Sequence, residues 1–284
     1  MARKENGVAE TSTAGKPGSG SLLLGGMARW DGLDLFGPHY MSTAYRKKSG
    51  EIFIRIDPVK VWKPQNPLLR RVSGWPIIRS FFFWGQLLVQ VGGSVWTLAY
   101  FVGSIAALWL LVRALELGSG LGSLGGFLGF LADFPMLPLL VLFFAAMKLT
   151  SIGRYHGAEH KAVAAYEKYG EVTMEKARVS SRIHPRCGTN ILIYIIIAAA
   201  LEPLIPWWWY SIAQFILISE LWFAFGQSRP SIAVGNFLQR YFTTSEPTRR
   251  ELEVAVASIN RLLEAEDGSL DTRIGTRMRM SARY

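Results

Sequence analysis

Residues 190–225 read NILIYIIIAAALEPLIPWWWYSIAQFILISELWFAF, two apolar runs hinged at Glu202-Pro203-Leu204-Ile205-Pro206. Asn190–Ile205 and Trp207–Phe225 each approach the ~20 residues that a helix needs to cross ~30 Å of hydrocarbon. Upstream, Leu124–Lys148 makes a similar run, interrupted by Asp133, Pro135 and Pro138, and Ser94–Val112 another within the apolar stretch Phe81–Arg113. The whole chain is 50% apolar and 13% aromatic, with mean hydropathy +0.21. Four such runs in 284 residues leave too little polar surface to cover them as core helices. The expected fold is therefore mainly α: a polytopic helical membrane protein with about four transmembrane helices, a small N-terminal β-hairpin region, a cytoplasmic helical loop and a C-terminal amphipathic helix.

Basic residues set the expected orientation. Arg70, Arg71 and Arg79 precede the first run, Lys148 to Arg186 lie between the second and third, and Arg229, Arg240, Arg249 and Arg250 follow the fourth. Glu116–Gly122 and Glu202–Pro206 hold no Lys or Arg. This predicts an integral protein with both termini and the central loop cytoplasmic. The formal charge of +10 then reflects orientation and anionic lipid, and nothing resembles a nucleic-acid module. One cysteine allows no internal disulfide.

Residues 1–21 read as a disordered Gly/Ser/Thr/Ala tail. In 22–67, His39–Arg46 and Glu51–Ile56 flank Lys47-Lys48-Ser49-Gly50, with Ile52, Ile54 and Ile56 alternating as in a hairpin with one apolar face. Residues 68–150 hold an interfacial helix over Leu68–Gln90 and the first two spans, with the Gly-rich turn Gly118–Gly129 between them. A polar site loop occupies 151–189, and spans three and four occupy 190–228. In 229–267, Thr244-Ser245-Glu246-Pro247 starts an amphipathic helix carrying Leu252, Val256, Ile259 and Leu263, which packs on the polar domain or on a membrane. Residues 268–284 form a basic, mobile tail.

The site loop concentrates the chemistry. His156-Gly157-Ala158-Glu159-His160 and His184-Pro185-Arg186-Cys187-Gly188-Thr189 hold three of the four histidines and the one cysteine. His156 and His160, four apart, share a helix face at the spacing two imidazoles need to grip one ion. Glu159 flanks that face as a candidate general base. The string fits an H-x-x-E-H metallopeptidase pattern, although nothing else in the chain does. A further ligand comes from His184 or Cys187, on a loop fixed by Pro185 and freed by Gly188. Glu167, Lys161 and Arg186 are candidates for contact with substrate. Each element has a plainer alternative: structural histidines, a Glu159 paired with Lys161 or Arg154, and a small buried Cys187. His39 is read as structural.

These strings resemble the YqhQ-like family of bacterial membrane proteins, described as metal-dependent enzymes of unknown function. Tyr155–Lys161, Tyr166-Glu167, Ser181–Thr189, Leu238–Pro247 and Glu251–Ala257 carry the resemblance. The family opens with Gly-Gly leading into Glu-Gly-Val-Met-Met-Arg. Here Gly25-Gly26-Met27 is followed instead by Asp31-Gly32-Leu33-Asp34-Leu35-Phe36, a departure that would alter specificity if the segment touches substrate. The resemblance implies a membrane architecture in the bacterial inner membrane and a bound metal.

The leading expectation is a metal-dependent hydrolase at the cytoplasmic membrane face, acting on a lipid-linked or membrane-peptide substrate. Zn²⁺ (or Fe²⁺) would be held by His156 and His160 with His184 or Cys187, with Glu159 as base or acid. Two alternatives stand beside it. In one, Cys187 is a thiol nucleophile activated by a histidine without metal. In the other, a structural metal staples a membrane-protein assembly factor, and a homo-oligomer or membrane-protein partner goes with either.

Overall fold

The computed structural model describes residues 25–59, 66–92, 136–201, 204–205, 209–269 and 278–280. Its first layer is an antiparallel sheet of β1 (Gly25–Ala28), β2 (Gly32–Phe36), β3 (Tyr40–Arg46), β4 (Ile52–Pro58) and β5 (Met278–Met280), in that spatial order. The strands around Lys47–Gly50 pair with Arg46 opposite Ile52, and Gly50 takes the turn at φ 90°. They form the inner part of a larger meander, not a free-standing hairpin. Three residues of the expected mobile tail complete the sheet as β5, on the far side of β4.

Alternation gives the sheet one apolar face. Leu33, Leu35, Ala44, Ile52, Ile54 and Ile56 are all buried there. Two helices cover them: α4 (Ser151–Tyr169) and α9 (Arg249–Glu266), which also pack on each other. α9 begins at Arg249, later than Thr244–Pro247, because Thr248 and Glu251 close a reciprocal capping box. Its Leu252, Val254, Ile259 and Leu262 enter the sheet core, and Ser258 reaches Ser42 at 2.9 Å. At its far end Glu266 accepts from the His39 and Tyr40 N–H groups, both at 2.9 Å, tying the start of β3 to the helix.

The remaining helices are α1 (Pro67–Val72), α2 (Ile78–Gly92), α3 (Met136–Leu149), α5 (Met174–Val179), α6 (Leu192–Leu201), α7 (Tyr210–Phe225) and α8 (Arg229–Leu238). Tyr194, Ala198 and Ile218 form a second core with Trp84 and Trp222, joining α2, α6 and α7. The helix expected over Leu68–Gln90 is divided into α1 and α2, with Ile77 at φ 70° in the break.

The four-span expectation is overturned: among the described residues no helix is long and apolar enough to cross a membrane. α3 has 14 residues, α6 has 10 and α7 has 16. At 1.5 Å per residue they reach about 21, 15 and 24 Å, short of ~30 Å. The third run is cut because Asn190 folds into a 3₁₀ turn, and the fourth carries Glu220 in a charged cluster. With the spans go the mainly α membrane fold, the integral inner-membrane placement and the cytoplasmic assignment of the termini. What hydropathy registered is an apolar helical surface on which Leu142, Ile197, Phe215, Phe225 and Phe237 stand exposed. The run Ser94–Val112, the first part of Leu124–Lys148, the turn Gly118–Gly129 and the tail 1–21 lie outside the described residues.

Glu220 carries a pH dependence. Its carboxylate accepts from Arg79, Ser80 Oγ at 2.7 Å and Ile77 N–H at 3.0 Å, anchoring α2 to α7. The Arg79 bond above all holds its pKa down at about 2. A depressed carboxylate stabilises the fold above its unfolded pKa, ~4.3, and the gain fades as pH falls toward 2. In thermal melts, Glu220→Gln should therefore lower Tm at pH 7, with the gap to wild type narrowing from pH ~4.5 downward. A gap independent of pH would contradict this assignment.

Candidate metal centre

α4 is positioned by its glycines. A Cβ on Gly153 would stand 1.9 Å from Met147 O, and one on Gly157 would stand 2.2 Å from Ser245 O. The missing side chain at Gly153 admits the end of α3 and that at Gly157 admits the segment 243–247, where Ser245 N–H donates to Gly153 O at 2.8 Å. Thr150 caps the helix start and Gly170, at φ 74°, ends it.

This packing decides the histidine tautomers. His156 Nδ1 donates to Thr243 O at 2.8 Å, and His160 Nδ1 donates to Arg182 O at 2.8 Å. Thr243 O is available because Gln239–Thr243 is a π-helical turn from which the chain leaves extended at Thr244. Backbone carbonyls orient metal-binding imidazoles in this way and leave Nε2 with its lone pair. Burial, and next the charge of His156, push the His160 pKa below its usual value, which favours the neutral ring that a ligand needs.

The third candidate donor is Cys187. A ring nitrogen from each of His156 and His160 lies with Cys187 Sγ in a group whose atoms are all within 4.8 Å of one another, and all three residues are buried. His156 Nε2 is 3.2 Å from Sγ. A tetrahedral zinc with bonds of 2.0–2.1 Å to nitrogen and 2.3 Å to sulfur would separate them by about 3.5 Å. The sulfur also faces Thr189 Oγ1 at 3.0 Å and Thr189 N–H at 3.4 Å, at the start of the 3₁₀ turn Gly188–Ile191.

His184 does not join this group. Its Nδ1 accepts from Arg186 N–H at 3.3 Å and its Nε2 donates to Glu167 at 3.0 Å, so both nitrogens are engaged. Glu167, which also pairs with Arg186, is held below the usual carboxylate range by these bonds, against the opposing effect of burial. Lys161 is turned away too. Its buried ammonium donates to Arg178 O at 2.9 Å and Ser180 O at 3.1 Å and pairs with Glu246 at 2.9 Å, fixing α5 to α4. Of the three residues expected to meet substrate, only Arg186 lines the cleft.

Glu159 does face the site. It is buried, its Oε2 has no hydrogen-bond partner among the described residues, and burial pushes its pKa up against the opposing charges of His156 and His184. Gly26 of β1 lies directly against it: a Cβ there would come 2.7 Å from the Glu159 carboxyl carbon. The donors and Glu159 open onto a cleft of about 420 Å³, also lined by Gly25–Ala28, Phe143, Met147, Ile152 and Val163.

Several contributors carried no signal that sequence reasoning used. Thr243 and Arg182 act through main-chain carbonyls. Gln239 is fully buried, bridging His184 N and O at 2.8 and 3.0 Å and Asn190 Oδ1 at 2.9 Å, and so holds the cysteine loop. The resemblance over Leu238–Pro247 contained Gln239 and Thr243 without giving either a role.

Fold and site together define a two-layer α/β protein with a His-His-Cys cradle under an edge strand. Residues 126–265 match the model of a family described as a protein of unknown function (DUF1385). The uncharacterized protein YqhQ of Bacillus subtilis (strain 168) is 32% identical over 158 residues, which cover 49% of this chain and 46% of that relative. The match thus spans about half the length of the curated relative. No solved structure matches the chain. Over the matched residues the chain is similar to the YqhQ-like family. All three cradle donors and Glu159 fall within residues 126–265, whereas β1 lies outside them.

Proposed function

We propose that the protein is a metal-dependent hydrolase whose ion, Zn²⁺ first and Fe²⁺ second, is held by His156, His160 and Cys187. The observation that carries this reading is the shared tethering of both imidazoles: each Nδ1 is fixed on a backbone carbonyl, and the remaining nitrogens turn to one sulfur. Three protein donors, with no fourth among the described residues, is the pattern of a catalytic site and not of a closed structural one. When bound, the ion supplies Lewis acidity, polarising an acyl or phosphoryl oxygen and acidifying water. Glu159 is the proton carrier. It sits on the same helix turn as His160 and faces the cleft, and a dication beside it offsets the burial that favours its neutral form.

The test uses p-nitrophenyl acetate as a generic acyl probe. Zinc-loaded protein should hydrolyse it with one ion per chain, and chelation should abolish turnover. Glu159→Gln should keep the ion and lose about 10²–10⁴-fold in kcat. Unchanged turnover in Glu159→Gln would remove it from the reaction.

The 3.2 Å contact between His156 Nε2 and Cys187 Sγ also favours a second reading, a thiol hydrolase in which His156 takes the cysteine proton. Turnover that survives chelation but is abolished by iodoacetamide would select it.

A further inference from the structure

The sheet order leaves β1 at one edge, paired on one side only among the described residues. The hairpin register says which of its backbone groups face outward. Arg29 N–H donates to Gly32 O at 2.9 Å, which makes that pair a hydrogen-bonded one. Moving along β1, Ala28 opposite Leu33 is then a non-bonded pair, Met27 opposite Asp34 a bonded one, and Gly26 opposite Leu35 non-bonded. The N–H and C=O groups of Gly26 and Ala28 therefore point away from β2. Gly26 and Ala28 are also cleft-lining residues, in the same cavity as the three donors and Glu159.

The rest of the lining limits what fits. Arg186 is the one cation among the lining residues, and it is already paired with Glu167. Beyond the proposed ion itself, a polyanionic substrate would find no unpaired side-chain cation there. Phe143, Met147, Ile152 and Val163 form apolar wall instead. A strand edge unpaired among the described residues, an apolar wall and no unpaired side-chain cation are what an extended, neutral polypeptide backbone recognises by strand addition.

Resting on the hydrolase reading above, we infer that the substrate is an extended polypeptide that adds as a further strand to β1 and is cut at a peptide bond beside Glu159. The main chain of Gly26 and Ala28 would fix its register, and alternate side chains would turn to the apolar wall. The reaction is R–CO–NH–R′ + H₂O → R–COO⁻ + R′–NH₃⁺. A water oxygen forms the new bond to carbon, the C–N electron pair leaves with nitrogen, and both water protons end on that nitrogen, the first through Glu159 and the second from the new carboxylic acid. Gly26 is required because any side chain there would displace the Glu159 carboxyl.

The test sets β-casein, an unstructured chain, against p-nitrophenyl acetate, which has no peptide backbone to pair. Zinc-loaded protein should cleave casein into fragments with new amino termini, read by mass spectrometry. Ala28→Pro removes one outward N–H and no ladder bond to β2, a position where edge strands tolerate proline. It should lower kcat/KM for casein at least about tenfold, since one charge-neutral hydrogen bond and the strand it registers are worth ~1.4 kcal/mol or more. Ester turnover, which draws on no backbone pairing, should fall by much less than casein cleavage. Ester hydrolysis without casein cleavage would overturn the peptide inference and leave the hydrolase reading standing, whereas loss of both in wild type would sink the hydrolase reading itself. Equal loss of both activities in a folded Ala28→Pro would remove β1 from substrate binding. Should that variant not fold, a decapeptide cleaved by wild type is compared with forms N-methylated at alternate residues. Sensitivity confined to one alternation supports strand addition, and none overturns it. A dimer in sedimentation that dissociates in Ala28→Pro would give the edge to a second copy and also overturn the inference.

Discussion

Purified His160→Ala and Cys187→Ala should each retain less than about a tenth of the zinc bound by wild type, while His184→Ala retains most of it. The asymmetry follows from hydrogen bonding. His184 has both ring nitrogens occupied, by Arg186 N–H and Glu167, whereas His156 and His160 each spend only Nδ1 on a carbonyl. Loss of an outer-sphere partner costs 10–100-fold in affinity, and loss of a ligand costs more. Competition titration with a chromogenic chelator should therefore show the two ligand variants weaker by at least ~10²-fold. A thermal melt gives an independent check. Zinc at 100 times its dissociation constant stabilises the wild-type fold by about 2.7 kcal/mol, and the ligand variants should lose that dependence. Loss of zinc from His184→Ala with retention in Cys187→Ala would exchange the roles assigned to these two residues.

Gly157→Ala should lower both stability and metal affinity, though alanine is the better helix former by ~1 kcal/mol. A methyl group at this position would stand 2.2 Å from Ser245 O, so the segment 243–247 must lift off α4. Overpacking of this kind costs about 1–3 kcal/mol, which exceeds the propensity gain. Lifting that segment also withdraws Thr243 O from His156 Nδ1, and zinc affinity should fall about 10–100-fold. Urea denaturation and the same chelator titration measure the two effects. A variant more stable than wild type would show that the segment does not press on the helix.

Parts of this were legible in the sequence and parts were not, for physical reasons. Helical spacing placed His156, Glu159 and His160 on one turn because four residues is a local distance. Alternation of Ile52, Ile54 and Ile56 showed a strand pair, but β1 and β2 were not visible: Gly-Gly-Met-Ala lacks β-branched residues, and Gly-Leu-Asp-Leu-Phe is a short run whose Gly and Asp are poor strand formers. Hydropathy could not separate helices that cross a membrane from short helices that pack on one another through Trp84, Tyr194 and Trp222, because both are apolar on most faces. The choice between Cys187 and His184 depends on which way a side chain turns within one loop. The fixing residue, Gln239, lies 55 residues from His184 in the chain.

The carbonyl tether from Thr243 has a consequence for the order in which the protein matures. His156 and Thr243 are 87 residues apart, whereas the three donors all lie between residues 156 and 187. Under the proposed metal reading, a chain still on the ribosome displays all three candidate donors well before it contains the carbonyl that orients His156. Domains fold from the N-terminus as they are made, at about 5–20 residues per second, so those donors spend several seconds without that tether. On that reading, tight capture of an ion would wait until α9 has docked on the sheet and drawn the segment before it down onto α4. On the proposed metal reading, loading would come after synthesis and report a finished fold.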